Sequence, residues 1–319
     1  METLLIVGGT GSLGHSLVRR LKDIYKIIIF SRDENKQWEM RRLFPFLTFI
    51  LGDIRNKEHF ERILLRYKPN KVIIAAALKH IDMCEYNIDE CIRTNITGVQ
   101  NVLNAITENS MRNLLPDLDT VVFISTDKAT SPVNVYGMCK SICERMMAEK
   151  SFYLTSPKFV TVRYGNVLRS RGSLIPLFHE IGHDPNKTFF PVTDEKMTRF
   201  FMRLDDSIDL ILKAIDEGKS GDTYIPRIES YRIVDIARCF REQYNKPIQI
   251  TGIRPGEKMH ECLINESERH RTVQDEDVYV IKPCYSNFDT KVDFKDEYTS
   301  ATNLCTDMER IREVFGFEN

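Results

Sequence analysis

The sequence has no apolar run as long as the roughly 18 to 20 residues that a membrane-spanning helix requires. It also has no excess of one charge, since 45 basic and 46 acidic residues give a formal net charge of −1. Bulk charge therefore offers no attraction to nucleic acid or to an anionic membrane. Because the chain begins on an apolar strand pattern and not on a secretory leader, we expect a cytoplasmic protein without nucleic-acid or membrane partners.

The eight cysteines show no C-x-x-C pair. Cys139 and Cys143 lie one helical turn apart in a predicted helix, where the geometry of a disulfide is not met. Scattered thiols of this kind are typical of a reducing compartment. We therefore predict reduced cysteines.

One short string matches a metal-binding pattern. His179 and His183 stand in the spacing H-E-x-x-H, which binds zinc when a continuous helix aligns both rings and a third ligand follows. Here Gly182 weakens such a helix, and Asp184-Pro185 ends it almost at once. We expect no metal site.

Short apolar runs alternate with amphipathic stretches through the first half of the chain. This alternation predicts an α/β fold with a Rossmann-type, doubly wound parallel sheet. Because the runs are short and apolar on both faces, we expect buried strands. The predicted strands are Thr3–Gly8, Lys26–Phe30, Leu47–Leu51, Lys71–Ala76, Thr120–Ser125 and Phe159–Arg163, and the predicted helices lie near 12–23, 34–43, 57–68, 90–109 and 134–153.

From about residue 165 onward the pattern becomes irregular and is punctuated by prolines. Helices near 205–217, 231–244 and 304–315 remain within it. We predict a dinucleotide-binding Rossmann domain over residues 1–165, which carries the catalytic residues. Residues 166–319 then form a smaller α/β portion that mainly binds substrate and is interleaved with the first.

A glycine-rich turn joins the first predicted strand to the first helix with the spacing G-x-x-G-x-x-G. Glycines permit a tight turn and close backbone approach, and the helix that follows offers free N–H groups to a pyrophosphate. The strand before the turn and the helix after it make dinucleotide binding the preferred interpretation over a bare glycine turn. The cofactor contacts predicted in this loop are Gly8, Thr10, Gly11, Ser12, Leu13 and Gly14.

The end of the second strand indicates which dinucleotide binds. A site selective for NAD usually has a carboxylate there for the ribose 2′-hydroxyl. This chain places Ser31 and Arg32 first, then Asp33, with Lys36 one turn into the next helix. These groups suit a 2′-phosphate, although Asp33 leaves a solvated helix start as the alternative. We predict that the cofactor is NADP.

Later strand ends extend the predicted cofactor site. Asp53 and Ile54 follow the third strand, in position to cover the adenine. The small residues Ala75 and Ala76 follow the fourth strand, where the cofactor must pass closely. Ser125, at the end of the fifth strand, completes this set.

The segment 125–140 carries the greatest density of reactive side chains. Tyr136 and Lys140 lie four residues apart, so a helix projects both from one face. Because an ammonium favours the ionised form of a nearby phenol, we expect Lys140 to lower the pKa of Tyr136 and make it a base. Asp127 and Lys128 add a second acid/base pair. This is more proton-handling equipment than alcohol oxidation needs, and it indicates chemistry beyond hydride transfer.

The glycine spacing and Tyr136-x-x-x-Lys140 resemble the extended short-chain dehydrogenase/reductase family of nucleotide-sugar enzymes. Longer strings are similar to one group within it, the soluble, C5-inverting UDP-N-acetylglucosamine 4,6-dehydratases of pseudaminic acid biosynthesis. The resemblance extends from the first strand to about residue 282. The strings are SRDENKQWEM from Ser31, AAALKHID from Ala75, STDKATSPVNVYGMCK from Ser125, VRYGNVLRSRGS from Val162, PVTDEKMTRFF from Pro191 and GIRPGEKMHE from Gly252.

The resemblance implies an NADP-dependent hydro-lyase that converts UDP-N-acetylglucosamine into a UDP-2-acetamido-2,6-dideoxy-hexos-4-ulose. Oxidation at C4 gives a ketone that acidifies the C5 proton, water leaves across C5 and C6, and hydride returns to C6. At the C4 hydroxyl the implied base is Tyr136, which also contacts the cofactor, and Lys140 supports it and binds the nicotinamide ribose. Asp127 is the implied acid at the C6 oxygen and Lys128 the implied base at C5. Thr126 is an implied hydrogen-bond partner of the sugar.

These roles set electrostatic requirements. Asp127 can be an acid at neutral pH only if burial raises its pKa, and Lys128 can be a base only if its pKa is lowered. Retaining relatives have methionine at the position of Tyr136, so the tyrosine places this chain with the inverting enzymes by resemblance.

The expected substrate residues lie mostly in the second half. Asn166 follows the sixth strand, at the edge where α/β sheets bind ligands. Arg199 and Arg254 suit two-point binding of the diphosphate, against the alternative of surface ion pairs. By resemblance the others are Lys79 for cofactor and substrate, Thr126 near C4, Glu257 at the ribose, and Thr193 and Met197 along the nucleotide.

Three alternatives remain: a retaining 4,6-dehydratase, a 4-epimerase on a related nucleotide sugar, and a non-catalytic NADP-binding regulator. Epimerisation at C4 has no need of the Asp127–Lys128 pair. A regulator usually loses part of the tyrosine/lysine set, which is complete here. We also expect a homo-oligomer, a dimer or larger, formed through the helices that follow the fourth and fifth strands.

Overall fold

The computed structural model describes residues 1–170, 172–285 and 296–317. Strand and helix alternate through the first half of the chain, as the sequence predicts. A π-helical turn joins α5 to α6, and a 3-10 turn follows β5. The elements are β1 (Thr3–Val7), α1 (Ser12–Leu21), β2 (Lys26–Ser31), α2 (Glu34–Leu43), β3 (Thr48–Leu51), α3 (Lys57–Tyr67), β4 (Lys71–Ile74), α4 (Ile81–Tyr86), α5 (Ile88–Ile92), α6 (Gly98–Met111), β5 (Thr120–Ile124), α7 (Val135–Tyr153) and β6 (Lys158–Val162).

The second half has shorter strands and fewer long helices. Its helices α9, α10 and α12 confirm the three that the sequence predicts there. The elements are β7 (Asn166–Val167), α8 (Leu174–His183), β8 (Phe190–Val192), β9 (Thr198–Met202), α9 (Leu204–Glu217), β10 (Thr223–Pro226), β11 (Ser230–Arg232), α10 (Ile233–Tyr244), β12 (Ile248–Ile250), β13 (Cys262–Ile264), α11 (Glu266–Arg269), β14 (Thr272–Asp275), β15 (Val278–Ile281), β16 (Tyr298–Thr299) and α12 (Met308–Phe315).

The main sheet has the strand order β14-β15-β10-β6-β5-β4-β1-β2-β3. Strands β1 to β6 and β10 are parallel, and β15 and β14 continue the sheet in antiparallel pairing. The order of the first six strands is that of the doubly wound Rossmann sheet. The fold class predicted from the sequence is therefore confirmed. Three strands from beyond residue 165 belong to the same sheet, which joins the two halves.

Successive residues of the central strand β1 serve two cores, because side chains alternate across a strand. Leu4 and Ile6 face the core formed with α1 and α9, whereas Leu5 and Val7 face the core formed with α3, α6 and α7. All four side chains are buried. At about 1.5 to 3 kcal/mol for each fully buried aliphatic side chain, this two-sided burial is a major stabilising contribution of the strand.

Two sequence expectations are wrong in detail. β3 was expected to be buried, but it forms the edge of the main sheet and its residues are half-buried or exposed. The single helix expected over 90–109 is divided by the π-helical turn Arg93–Thr97, which inserts an extra residue into the helical ladder. No helix among the described residues is both long and apolar enough to cross a bilayer.

A third core unites the irregular second half. Phe178 of α8 and Phe240 of α10 meet edge to face at 5.3 Å, and Phe315 of α12 contacts Phe201 of β9 at 5.2 Å. These rings belong to one buried cluster. The last helix thus docks on the second half of the chain through its apolar face.

A buried ion cluster lies just beyond the carboxyl end of β6. Arg163 donates to Glu144 on α7, with Nε 2.9 Å from Oε1, and to Glu268 on α11, with Nη2 2.8 Å from Oε1. The side chains of all three residues are at most 9% exposed. The guanidinium therefore ties the helix α7 to the second half of the chain.

We predict that Arg163→Leu lowers the free energy of unfolding by about 3 to 5 kcal/mol, because it leaves two carboxylates buried without their cation. Urea unfolding measures this loss. The matched control is Arg20→Leu, whose exposed ion pair with Asp209 contributes at most about 1 kcal/mol. Equal losses in the two variants would contradict the structural role of the buried cluster.

Candidate active site

The predicted functional residues gather at the carboxyl edge of the parallel sheet. The loops after β1, β4, β5 and β6 all leave the sheet at this edge, because the four strands are parallel. The strand order reverses between β1 and β4. This is the position at which open α/β sheets form a ligand-binding crevice.

The glycine loop after β1 has the shape that a pyrophosphate requires. Gly8 has a φ of +85°, and an added Cβ would lie 2.5 Å from the Cα of Ala76. A Cβ on Gly14 would overlap the carbonyl of Gly9, whereas one on Gly11 would meet nothing within 4 Å. Gly11 is also the N-cap of α1 and, as a glycine, has no side chain with which to cap that end. Open space therefore lies beside uncapped backbone N–H groups, which fits a dinucleotide.

The end of β2 carries polar groups that differ in exposure, from the buried Ser31 to the exposed Arg32. Ser31 is buried and its hydroxyl accepts from Gln37 Nε2 at 3.0 Å. Asp33 is the N-cap of α2 and accepts from the Lys36 backbone N–H at 3.0 Å, while Lys36 Nζ lies 2.8 Å from its carboxylate. The Lys36 side chain, followed by its backbone N–H, lowers the pKa of Asp33. Arg32 is exposed.

The end of β3 carries a second ion pair. Asp53 accepts from Arg55 Nη2 at 2.7 Å, and Arg55 Nη1 reaches Glu90 at 2.9 Å. Ile54 is buried against Gly98 of α6, so this loop is anchored on the helix layer. Thr10 and Ala75 lie at the same sheet edge, on the loops after β1 and β4, and Ser12 and Leu13 begin α1 there.

The 3-10 turn after β5 presents the candidate acid/base pair. Thr126 caps the turn, and its hydroxyl donates to Asp127 Oδ1 at 3.0 Å. Gly137 of α7 packs so closely on the turn that an added Cβ would overlap the carbonyl of Lys128. Asn134 caps α7 through the N–H of Gly137 at 2.7 Å. The turn and the helix that carries Tyr136 are therefore one rigid unit.

Lys128 is surrounded by acceptors from three parts of the chain. Its Nζ lies 2.9 Å from Asp127 Oδ1, 3.4 Å from Glu261 Oε1 and 3.5 Å from Asn166 Oδ1. The same Glu261 oxygen lies 3.7 Å from Arg199 Nε. Asp127 and Glu261 are almost completely buried, and the Lys128 side chain is 14% exposed. Asn166 and Arg199, both predicted from the sequence as substrate residues, thus lie beside the acid/base pair.

The pKa of Asp127 is raised, chiefly by burial, with Lys128 opposing the shift. This agrees with an acid. Burial on its own lowers the pKa of Lys128, but the carboxylates of Asp127 and Glu261 outweigh it and raise that pKa. The expectation of a lowered pKa for Lys128 is therefore wrong for this structure. Two anionic neighbours stabilise the ammonium more than burial destabilises it.

The relation expected between Tyr136 and Lys140 is also wrong. Burial, followed by the charge of Asp127, raises the pKa of Tyr136, and a hydrogen bond with Thr126 only partly offsets these effects. Lys140 Nζ donates to the carbonyl of Ile124 at 2.7 Å. Burial lowers the pKa of Lys140 to about 8. Its charge therefore does not lower the pKa of Tyr136 here.

The remaining predicted substrate residues have contacts of their own. Thr193 donates to the sulfur of Met197 at 3.1 Å. Arg254 is 71% exposed and its Nη2 lies 2.5 Å from Glu257, whose side chain is buried. Lys79 follows β4 at the crevice edge, and burial lowers its pKa. Their roles at a substrate remain predictions.

Sequence reasoning missed two groups of this site. Glu261, the last letter of the string GIRPGEKMHE, contacts Lys128 and Arg199. Glu144 lies one turn beyond Lys140 on α7 and accepts from Ser125 Oγ at 2.6 Å and from Arg163. Ser125, predicted as a cofactor contact, thus bonds within the protein. The position of Glu144, four residues after Lys140, was the available signal.

The H-E-x-x-H string lies on α8, which continues through Gly182 and ends at His183, directly before Asp184-Pro185, as the sequence predicts. The Tyr244 hydroxyl lies between the two rings, 2.7 Å from His179 Nδ1 and 3.2 Å from His183 Nε2. In the described part of the chain, no group of three or more histidine, cysteine, aspartate or glutamate residues could hold a metal ion.

The sequence matches the family described as "Polysaccharide biosynthesis protein" over residues 4–283. It is 38% identical to a UDP-N-acetylglucosamine 4,6-dehydratase (inverting) of Campylobacter jejuni, over 92% of this chain and 86% of that protein. It is 35% identical to a UDP-glucose 4-epimerase of Rickettsia rickettsii, over 98% of this chain and 95% of that protein.

Solved structures agree with this relationship. Pen from Bacillus thuringiensis is 31% identical and superposes with a TM-score of 0.89 over 99% of this chain and 97% of its own. A dTDP-glucose 4,6-dehydratase of Bacillus anthracis, in complex with NAD, superposes with a TM-score of 0.66 over 80% of this chain and 86% of its own, at 17% identity. This second likeness concerns the fold alone.

The lowered pKa of Lys140 generates a stability prediction. Below pH 8 the lysine is charged in the folded and unfolded chains, so the folded state bears the full cost of burial. Between pH 8 and 10.5 only the unfolded chain keeps the proton, so this cost declines as the pH rises. We therefore expect Lys140→Met to stabilise the protein by about 1 to 3 kcal/mol at pH 7, and by less at pH 10, in urea unfolding.

Lys71→Met is the matched control. Lys71 is also a buried lysine, but its Nζ lies 2.7 Å from Asp119 and 3.1 Å from Glu2, and its pKa is raised. This substitution is expected to destabilise the protein at both pH values. If Lys140→Met destabilised the protein to the same degree as Lys71→Met, the buried ammonium of Lys140 would not carry the expected desolvation cost.

Proposed function

The chain belongs to the polysaccharide biosynthesis protein family and to the extended short-chain dehydrogenases/reductases, and on this premise we propose that it is a C5-inverting UDP-N-acetylglucosamine 4,6-dehydratase. It would convert its substrate into a UDP-2-acetamido-2,6-dideoxy-hexos-4-ulose by overall loss of water. The Campylobacter relative with this activity is the principal support.

The observation that carries the proposal is the buried Asp127–Lys128 pair beside Tyr136. A dehydration needs an acid at the C6 oxygen and a base at C5, in addition to a base for the C4 hydroxyl. Asp127 Oδ2 is buried and, within the part of the chain that the structure describes, accepts no hydrogen bond. That orphaned oxygen fits a partner on the sugar, such as the departing C6 oxygen.

One proton transfer converts the observed pair into the pair that the chemistry needs. Lys128 Nζ and Asp127 Oδ1 lie 2.9 Å apart, so they share a direct hydrogen bond. If the ammonium passes its proton to the carboxylate, Lys128 becomes a neutral amine and Asp127 a carboxylic acid. The amine can take the C5 proton, and the acid can protonate the leaving C6 oxygen. A lowered pKa of Lys128 is then not required in advance.

Tyr136 is the group that we assign to the C4 hydroxyl, with Thr126 beside it. A bound nicotinamide dinucleotide would supply the hydride chemistry, the oxidation at C4 and the reduction at C6. The glycine loop residues and Lys140 would hold it, since the loop leaves backbone N–H groups and open space at Gly11. Lys140 would support the phenolate of Tyr136 once its amine turns from the Ile124 carbonyl toward the phenol.

The substrate residues remain as the sequence suggested, with one change in emphasis. Arg199 is buried beside Glu261 and Lys128, so we assign it to the end of the diphosphate that lies near the sugar. Arg254, which is exposed, would bind farther out together with Glu257. Asn166 contacts Lys128 and is placed to orient the sugar. Lys79, Thr193 and Met197 complete the proposed nucleotide-sugar site.

We propose NADP as the cofactor within the broader class of nicotinamide dinucleotides. Arg32 is exposed beside the end of β2, and Lys36 lies one turn into α2. The carboxylate of Asp33 is engaged as the N-cap of α2 and by Lys36, which leaves it poorly placed to hold a ribose 2′-hydroxyl. This arrangement favours a 2′-phosphate.

A 4-epimerase is the second candidate, because epimerase relatives are nearly as similar in sequence. Epimerisation at C4 needs only hydride transfer and the tyrosine base. In an epimerase the buried Asp127–Lys128 pair would have no catalytic role, although burying the pair costs the desolvation of both charges. We therefore prefer dehydration.

Free thiols at all eight cysteines agree with the cytosolic location that we predict.

We predict that the purified protein converts UDP-N-acetylglucosamine into a product lighter by one water, which mass spectrometry detects. In heavy water, NMR should show deuterium at C5 and inversion there. Unchanged mass with a changed C4 configuration would establish the epimerase instead. No reaction of any kind would favour the non-catalytic regulator.

We predict that Lys128→Ala lowers kcat by about 10²- to 10⁴-fold, since a general base is removed. The matched control is Lys246→Ala. Its amine donates to the Ile181 and Asp184 carbonyls in the substrate half and lies outside the proposed site, so turnover should be kept. Turnover that survives Lys128→Ala would exclude the proposed role at C5.

We predict that Arg32→Ala weakens binding of NADP by about 10- to 100-fold, because a charge-assisted hydrogen bond contributes about 1.5 to 3 kcal/mol. Binding of NAD should change little. Calorimetric titration of both dinucleotides measures the ratio, with Arg42→Ala as control, whose guanidinium stacks on Trp38 instead. Equal losses for NAD and NADP would contradict selectivity through Arg32.

A further inference from the structure

Glu261 contacts Lys128 but neither gives nor takes a proton in the proposed dehydration. Its carboxylate is buried, with Oε1 3.4 Å from Lys128 Nζ and 3.7 Å from Arg199 Nε. Its Oε2 lies 3.9 Å from Lys258 Nζ and is buried without a hydrogen bond in the described part of the chain. The free-energy cost of desolvating this carboxylate is offset only by the cations beside it.

The backbone fixes Glu261 in place. It precedes β13, and its N–H donates to Ser300 Oγ at 2.9 Å. Ser300 Oγ also bonds Thr198 at 2.7 Å, on the strand that carries Arg199. Glu261 therefore reaches Lys128 from a different part of the chain than Asp127 does. The amine lies between one oxygen of each carboxylate, Asp127 Oδ1 and Glu261 Oε1.

We infer that Glu261 is a positioning residue for the C5 base: it orients Lys128 and stabilises the ammonium that forms when the amine takes the C5 proton. This inference rests on the proposed dehydration. In that step the C5–H bond breaks, its electron pair passes to the enolate of the 4-keto sugar, and the proton forms a new N–H bond on Lys128. Glu261 stays ionised throughout, as the carboxylate of a catalytic triad does beside its histidine.

The charged groups that face Lys128 make Glu261 necessary for this step. When Asp127 has become the acid, it is neutral and no longer stabilises a cation at Lys128. The neighbouring guanidinium of Arg199 disfavours a new positive charge there. Glu261 is then the anion that remains beside the amine. The charged groups that act on Lys128 directly are Asp127 on its own turn, Glu261 before β13 and Arg199 on β9. Lys258 lies beside Glu261, and Tyr136 interacts with Asp127.

The test is the pH dependence of kcat and KM for UDP-N-acetylglucosamine with Glu261→Gln, using the NADP-loaded protein. The active pair carries one proton, held by Asp127 while Lys128 is neutral, so kcat rises with pH as the doubly protonated pair loses its first proton. Without the Glu261 charge, this rising limb should move to lower pH by at least about one unit. The weaker base should also lower the plateau of kcat by at least about 10-fold, with KM changed less.

Two variants complete the design. Glu261→Asp keeps the charge one methylene farther away, so its limb should move in the same direction by a smaller step, and it serves if the amide variant does not fold. Asp222→Asn is the control for a lost buried ion pair, since Asp222 pairs with Lys282 at 2.9 Å before β10, at the opposite edge of the sheet. It should lower the melting temperature and leave the limb in place.

The outcomes separate the possibilities. A raised KM with an unmoved limb would mean that Glu261 acts only through Arg199, and a lowered melting temperature with unchanged kinetics would mean a structural role. Either result overturns the inference while the dehydratase stands. If the wild-type protein itself yields no dehydrated product, the proposed function fails, and this is visible in the same assay before any variant is compared.

Discussion

The ammonium of Lys128, held between two buried carboxylates, is the interaction on which the site depends. Asp127 lies 2.9 Å away on the same turn, and Glu261 lies 3.4 Å away from the far half of the chain. Three charges at this depth are stable only as a set, because each one alone would suffer the full cost of desolvation. The set forms only when both halves of the chain are folded together.

The rest of the architecture serves to hold that set at the sheet edge. Gly137 lets α7 press against the turn of Lys128, and Arg163 ties the same helix to α11 through Glu144 and Glu268. The helix that carries the tyrosine and the turn that carries the acid/base pair are thereby fixed to one another. Such fixed geometry is what proton transfer between positioned groups requires.

The sequence predicted the parallel sheet and the glycine loop because both follow from local patterns. Short apolar runs mark β1 to β6, and a Cβ could not be accommodated at Gly8 or Gly14. It failed where the answer depended on a neighbour distant in sequence. Among the described residues no strand lies beyond β3, which leaves it half-buried or exposed. The pKa of Lys128 is raised because Glu261, 133 positions later, lies beside it.

The sequence by itself determined the fold class, the cofactor loop and the identity of the reactive side chains, since these depend on spacing and residue type. Only the tertiary structure decided how those side chains are charged. Burial acts oppositely on Tyr136 and Lys140, raising the pKa of one and lowering that of the other, while carboxylates reverse its effect at Lys128. Protonation reflects desolvation and the nearest charges, and both are properties of the packed chain.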